Sequence, residues 1–312
     1  MTQKLQPLVS IIIDNYNYAS FVRKAIESAL AQTYPNIEVI VVDDGSTDES
    51  WEIIKSYADI LAIRKENGGQ SSALNAGFAA SSGDIICFLD SDDIFLPNKV
   101  SRIVELFEEP DIGWCFHPLR YTKYINDETE EFIANYPPSP SDKSPCKIDF
   151  RSEIVEGAKH PNWGPATSAL CFRRSLLQQI LPMPEVIRIE SDNYLRYAAV
   201  FLSQGIFIDE PLSVLRVHGS NHYSLRNDKL HQKAQVLIQT GYWLRVHYPE
   251  LRHFSNKLIG IAIGQKWCVG AAKVGCGKMI KDYFSDTSSK EVVEINIRAF
   301  YHYIKALKQR IN

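Results

Sequence analysis

Along residues 1–116 the apolar positions follow two alternating patterns. Unbroken apolar runs recur as VSIIID (9–14), IEVIVVDD (37–44), ILAIRK (60–65), DIICFLD (84–90) and IGWCF (112–116), and each reads as a buried strand. Between them the period lengthens to that of a helix. In FVRKAIESALAQ, Phe21, Ala25, Ile26, Ala29 and Leu30 fall on one helical face. After GSTDES a second helix is expected, with Ser46 and Glu49 as a capping box and Trp51, Ile53, Ile54 and Tyr57 following. QSSALNAGFAASS reads as a third, and Pro97 starts a fourth that runs to about Glu108. Strands this apolar, joined by helices, predict an α/β fold whose mainly parallel central sheet is flanked by helices on both faces. Ligands of such sheets bind beyond the carboxyl ends of the strands. That edge gathers Asp14, Asn15, Tyr16, Asp43, Asp44, Lys65, Asn67, Asp90, Asp92 and Asp93.

The second half reads differently. RIESDNYLRYAAVFLSQG (188–205) has Tyr194, Leu195, Ala198, Ala199 and Leu202 at helical spacing. Ser191 is its expected N-cap, and Asp192 falls in its first turn, at an exposed position the helix dipole favours. YPPSPSDKSPCK, after the acidic INDETEEF, reads as a loop. From about 225 onward LHQKAQVLIQTGYWLRVHY, KLIGIAIGQKWCVGAAKVG and EVVEINIRAFYHYIKALKQRI carry helical patterning and no strand signal.

Composition narrows the function classes. At 312 residues, 45% hydrophobic and 23% charged, the chain suits one large globular domain or one domain with an appendage. A net charge of −3 supplies no basic field for nucleic acid. Six scattered Cys without a CxxC pair fit reduced thiols rather than a zinc site or a disulfide framework. No apolar run reaches the ~18 residues of a spanning helix, and MTQKLQPLVSIII carries no secretory pattern. A cytoplasmic protein is expected.

The densest chemistry is FLDSDDIFLP (88–97), three carboxylates within four positions and nothing basic beside them. Asp at a strand end often caps the next helix or forms an Asx-turn. Three close carboxylates, however, repel one another unless a cation sits among them. All-oxygen ligands suit Mg²⁺ or Mn²⁺, and Mg²⁺ is commonly shared with substrate phosphates. A diphosphate ligand follows as an expectation. The chain lacks GxxxxGK[ST], and it lacks GxGxxG after its first strand.

VSIIIDNYNYASFVRKAIESALAQTYPNIEVIVVDDGSTDES and NGGQSSALNAGFAASSGDIICFLDSDDIFLPNKV together resemble family 2 glycosyltransferases over about residues 8–222. VDDGSTD, the N-G-x(n)-A-x-N-x-G pattern and DSDD in this order carry the resemblance. It implies the GT-A nucleotide-diphospho-sugar transferase fold over 1–222, with a nucleotide-sugar half (1–118), an acceptor half (119–222) and a helical C-terminal extension (223–312). It also implies an inverting, metal-dependent transfer from a nucleoside-diphosphate sugar, UDP-linked above others, to a hydroxyl of a glycan or lipid-linked acceptor, with surface polysaccharide assembly as the setting.

By the same resemblance, Asn15 and Tyr16 line the nucleotide site and Asp44 receives the base. Asn67 and Gln70 lie near the nucleotide or the diphosphate. Asp90 and Ser91 lie on the donor. Asp92 binds the metal, with Asp90 and His218 beside it. Asp14-Asn15 replaces the Pro-Thr or Pro-Ser of many relatives, so Asp14 is expected to face the base or cap the following turn. An inverting transfer needs a general base. Asp192 in S-D-x-Y-L matches one subgroup's form, with Glu190 as the alternative. Asp93, Trp163 and Gly164 are expected on the acceptor side, and Arg216 either on the diphosphate or on a nearby Asp. HGSN (218–221) reads as a flexible closing segment. The C-terminal helices pack on the transferase domain, form a homodimer, or lie on the cytoplasmic membrane face. Two rival readings stand: an inactive nucleotide-sugar-binding or scaffold protein, and a sugar nucleotidyltransferase, whose Gly-rich loop DNYNYASF lacks.

Overall fold

The computed structural model describes residues 6–126, 129–136, 146–157, 164–219, 221, 229–270 and 274–311, with backbone alone at 124–126, 129–136 and 309–311. The chain forms two compact units, Met1–Phe150 with Pro161–Asn221, and Arg151–His160 with His222–Asn312.

The first unit is built on an eight-stranded sheet in the order β3-β2-β1-β4-β10-β6-β11-β9. Its first half is the predicted parallel set: β1 (Val9–Asn15), β2 (Ile37–Asp43), β3 (Leu61–Arg64) and β4 (Ile85–Asp90). Continuous apolar runs suit these strands because helices cover both faces. Ile11, Ile13, Val39, Val41, Cys87 and Leu89 pack toward α1 (Ala19–Leu30) and α4 (Lys99–Leu106). The alternate residues meet α3 (Gln70–Ala80), where a Cβ on Gly77 would stand 2.4 Å from Ile12 Cγ2, so only glycine allows this approach. Beyond β4 the sheet is mixed. β10 (Leu170–Arg173) runs antiparallel between β4 and β6 (Trp114–Phe116), followed by β11 (Gly205–Phe207) and β9 (Cys146–Ile148).

A second sheet, β5-β12-β7-β8, lay outside the sequence expectations. β5 (Asp93–Phe95) pairs antiparallel with β12 (Ser213–Val217), which runs parallel to β7 (Leu119–Asn126), itself paired with β8 (Thr129–Tyr136). Of the acidic INDETEEF, residues 125–126 and 129–132 therefore lie in two paired antiparallel strands, and 127–128 lie outside the described residues. Most of YPPSPSDKSPCK, residues 137–145, lies outside the described residues.

The capping box after β2 does not form. α2 (Ser50–Ile54) starts later, and Asp48 Oδ1, not Ser46, accepts the Ser50 N–H at 3.0 Å. Ser46 Oγ is engaged elsewhere, by Asn15 Nδ2 (3.1 Å) and the Asn17 N–H (2.9 Å). Two short helices, α5 (Arg151–Val155) and α6 (Arg174–Leu177), precede α7 (Asp192–Leu202).

The second unit is helical: α5, α8 (Leu230–His247), α9 (Arg252–Val269), α10 (Gly277–Ser285) and α11 (Ser289–Ile311). Ala234, Ile238, Ile259, Ala262, Ile295 and Ala299 form its core. No described helix is long and apolar enough to cross a membrane.

Candidate active site

Strand register brings the carboxylates together. β1 and β4 pair with Asp14 directly opposite Asp90, and the chain then turns so that Asp92 and Asp93 follow at the same edge. Carboxylate oxygens of Asp90, Asp92 and Asp93 lie within 4.8 Å of one another. Burial, and then the Asp92 charge, push the Asp14 carboxyl up to about 7. Burial, and then Asp14, Asp93, Asp92 and Asp192, hold Asp90 well above the carboxylate range. Asp93 is raised by burial and Asp92 while Ser168 and Arg216 oppose the rise.

Asp14 does not cap the turn. Its Oδ1 is shut from solvent without a hydrogen-bond partner, and its neighbours are Asp90, Asp92 and Gln70. The register with β4, invisible locally, decides this. An orphaned buried oxygen beside three crowded carboxylates is a donor set with room for a hard cation, so the residues fit Mn²⁺ or Mg²⁺.

From the second sheet, His218 Nε2 stands 3.2 Å from Asp92 Oδ2, and Asn221 Nδ2 lies 3.2 Å from the same oxygen. The His218 ring stacks on Phe21, with centroids 4.0 Å apart. Within HGSN, then, His218 and Asn221 are fastened to Asp92; Ser220 lies outside the described residues. Arg216 is fully buried, and its guanidinium donates to main-chain oxygens, Nε to Asp92 O at 2.6 Å and Nη2 to Phe21 O at 3.1 Å, while its charge lowers the Asp93 carboxyl. Asp93, expected on the acceptor side, points inward, where Ser168 Oγ donates to its Oδ2 at 2.6 Å. Ser168 also receives the Asp90 N–H at 3.0 Å, and its carbonyl accepts from the buried Lys99 Nζ at 2.7 Å. Neither Ser168 nor Lys99 was singled out from sequence, because both act through partners about 70 residues away.

The loop after β3 forms the other wall. Asp44 accepts from Lys65 Nζ (2.8 Å) and the Gly68 N–H (2.9 Å) on Oδ1, and from the Gly69 N–H (2.7 Å) on Oδ2. Gly69 has φ +88°, and a Cβ there would stand 2.7 Å from Arg188, so this bend needs glycine. Asn67 donates to Asp44 O at 3.0 Å and is held by the Arg188 guanidinium. Gly45, Arg64, Lys65, Glu66 and Asn67 line an open cleft of about 500 Å³. Tyr16 stands exposed at the end of β1. Asn15 is buried and donates to Asp43 (3.0 Å) as well as Ser46, and Ser91 is buried with its N–H on Asp14 O at 3.2 Å.

Gln70 joins this edge to α7. Its Nε2 donates to Asp90 Oδ1 (3.0 Å) and Thr167 Oγ1 (3.2 Å), while its Oε1 accepts from the Ser191 N–H (3.1 Å) and Ser191 Oγ (2.9 Å). Ser191 Oγ is therefore not the helix cap. Asp192 comes next. It is not exposed as the sequence suggested: its side chain is 15% accessible, and Arg196 Nη2 stands 3.8 Å from Oδ2. Burial raises the Asp192 carboxyl and Arg196 draws it back. Glu190 adopts a left-handed φ of 49° just before the helix, and its carbonyl accepts the Asn193 N–H at 3.2 Å. Gly164 faces Arg196, with a Cβ position 3.2 Å from Nη1. Trp163 lies outside the described residues.

A model of glycosyl transferase family 2 matches residues 10–150. An uncharacterized glycosyltransferase of Nostoc sp. is 37% identical over 260 residues, covering 76% of this chain and 78% of the other. The chain belongs to glycosyltransferase family 2. This family 2 glycosyltransferase is also 45% identical over 287 residues to glycosyltransferase GlyA of Streptococcus pneumoniae, matching 82% of its own length but only 38% of GlyA. Solved structures agree on the GT-A fold. S. aureus TarS 1-349 in complex with UDP-GlcNAc superposes with TM-score 0.59 at 17% identity, over 97% of this chain and 82% of TarS 1-349. Mannosyltransferase PcManGT from Pyrobaculum calidifontis, in complex with GDP-Man and Mn²⁺, gives 0.52 at 15% identity, over 99% and 88%.

Proposed function

We propose that this glycosyltransferase is metal-dependent and inverting, and that it moves a sugar from a nucleoside-diphosphate donor to a hydroxyl of a glycan or lipid-linked acceptor in surface polysaccharide assembly. UDP-sugars are the first donors to test, since TarS was solved with UDP-GlcNAc. PcManGT, solved with GDP-Man and Mn²⁺, makes GDP-sugars the second. Residues 1–222 carry the transfer, with the donor in 1–118 and the acceptor in 119–222, and 223–312 serve as an extension.

The observation that carries this reading is the oxygen cluster at the end of β4, with His218 Nε2 3.2 Å from Asp92 Oδ2. Asp92, Asp90 and His218 hold Mn²⁺ or Mg²⁺. When bound, such an ion neutralises charge on a diphosphate leaving group. Lys65 and Asn67 border the nucleotide cleft, Tyr16 stands at its strand-end side, and Asp44 keeps one lone pair for the base beyond the three N–H donors it already serves. Asp192 takes the proton of the attacking hydroxyl as its oxygen bonds to the anomeric carbon. A partly buried carboxylate held above its usual range is a stronger base than a solvated one. Gln70 keeps that carboxylate and the donor edge in one frame.

The test is donor hydrolysis with and without Mn²⁺ across a panel of nucleoside-diphosphate sugars, after a thermal-shift screen for the donor that stabilises the fold. Slow, Mn²⁺-dependent sugar release that vanishes in Asp92→Ala is expected. Donor binding without turnover toward any acceptor indicates the inactive binding protein instead.

A further inference from the structure

α11 has two apolar faces. One packs into the core of the second unit through Ile295, Ala299 and Ala306, all buried. The other is open. Val293, Ile297, Phe300 and Ile304 follow i, i+4, i+7, i+11 spacing, and Tyr301 flanks them. Ile297 is 67% and Phe300 61% exposed, far more than a packed helix leaves open. The stripe runs about 17 Å along the helix axis.

The charges beside the stripe identify its occupant. The chain as a whole is acidic at −3. α11 carries Lys290, Arg298, Lys305, Lys308 and Arg310 against Glu291 and Glu294, five positive and two negative, a net of +3. Glu291 is turned inward, accepting from Asn256 Nδ2 at 2.9 Å and Ser288 Oγ at 2.7 Å. Lys290, Lys305 and Lys308 are exposed and lie one helical turn from stripe residues, with Glu294 the one exposed acid among the described residues of that face. An apolar centre with aromatic rings, bordered by lysines, matches a helix lying in a bilayer interface with its lysines among anionic headgroups. A second copy suits it less. Antiparallel pairing across the middle of the stripe sets Lys290 beside the partner helix's position 308, and parallel pairing stacks each lysine on its equivalent.

We propose that the exposed face of α11 docks the protein on the surface of an anionic lipid bilayer. The docking is independent of the transferase reading, since it uses no residue of the strand edge. Flotation of the full chain with phosphatidylcholine vesicles, with and without phosphatidylglycerol, tests it. The protein should float with the anionic vesicles, release in high salt and ignore the neutral ones. Ile297→Glu with Phe300→Glu, and separately Lys305→Glu with Lys308→Glu, should each cut the bound fraction about tenfold or more. Circular dichroism melts that match the wild type establish that both double variants are folded, and the lysine pair leaves the apolar stripe intact if the first pair misfolds. The proposal is overturned by no flotation with anionic vesicles, by equal flotation with neutral ones, or by a dimer in light scattering that Ile297→Glu with Phe300→Glu dissolves.

Discussion

Gln70→Leu keeps nearly the same volume and removes the four hydrogen bonds between Asp90, Thr167 and Ser191. A net hydrogen bond is worth about 0.5–1.5 kcal/mol, and one to an ionised group about 1.5–3. Across the two protonation states of Asp90 the gross sum is about 2–7.5 kcal/mol, and the two hydroxyls recover part of it by turning to each other or to water. A net cost of about 2–3 kcal/mol remains, because the Ser191 N–H at the buried start of α7 loses its acceptor, Gln70 Oε1. For a chain this long that lowers the melting temperature by roughly 4–12 °C. The functional effect is larger in proportion. Asp192 follows Ser191 directly, and a displacement of about 1 Å at a reacting group costs on the order of 100-fold in rate. The assay pairs isothermal titration of the nucleoside diphosphate with the turnover number of donor consumption. Turnover should fall about 100-fold with nucleotide affinity changed less than about threefold. Unchanged turnover in a folded Gln70→Leu protein refutes the link to Asp192. Losing affinity and turnover in equal measure places Gln70 on the donor alone.

Other outcomes follow from the same geometry. Because burial raises Asp192, the acid limb of the turnover–pH profile should lie above the ordinary carboxylate range near 4, with activity lost as pH falls through it; Asp192→Asn should bind nucleotide and fail to transfer, whereas survival of transfer there together with its loss in Glu190→Gln reassigns the base. Asp14, raised to about 7, stays protonated in the folded chain at pH values where the unfolded chain has already ionised. In chelator, melting temperature should therefore fall as pH rises from about 4 toward 7, and Asp14→Asn should flatten that slope; a slope equal in both proteins contradicts the assignment. Asp44→Asn turns one acceptor into an NH₂ facing glycine N–H groups and ends the Lys65 ion pair, so about 2–3 kcal/mol of stability and at least tenfold in nucleotide affinity should go, read by denaturant melts and titration.

Much of this arrangement is legible in the chain itself. β1, β2 and β4 announce themselves as apolar runs because both their faces are covered, and α1 by its helical stripe. What the sequence hides are pairings over long separations. β5 is three residues beginning with Asp93, a poor strand former that becomes one through Leu215. Asp14 was expected to face the base or cap the following turn, since nothing local shows that its partner across the register is Asp90, 76 positions on. Ser46 had the spacing of a helix cap and lost that role to Asn15 and Asn17, which reach its hydroxyl first. Asp92 and His218, in contrast, were both implied at the metal by the family resemblance, and their side chains lie within hydrogen-bond distance of each other.

The central claim is that a divalent ion sits between β4 and the turn after β12. Crystals grown with a nucleoside diphosphate and Mn²⁺, with data collected at the manganese edge, test it most directly. An anomalous peak within about 2.0–2.3 Å of an Asp92 oxygen, shared with the diphosphate and absent in Asp92→Ala, is the expected result. An ordered nucleotide with no anomalous peak at that edge, and Asp92 still held by His218 and Asn221, contradicts the account.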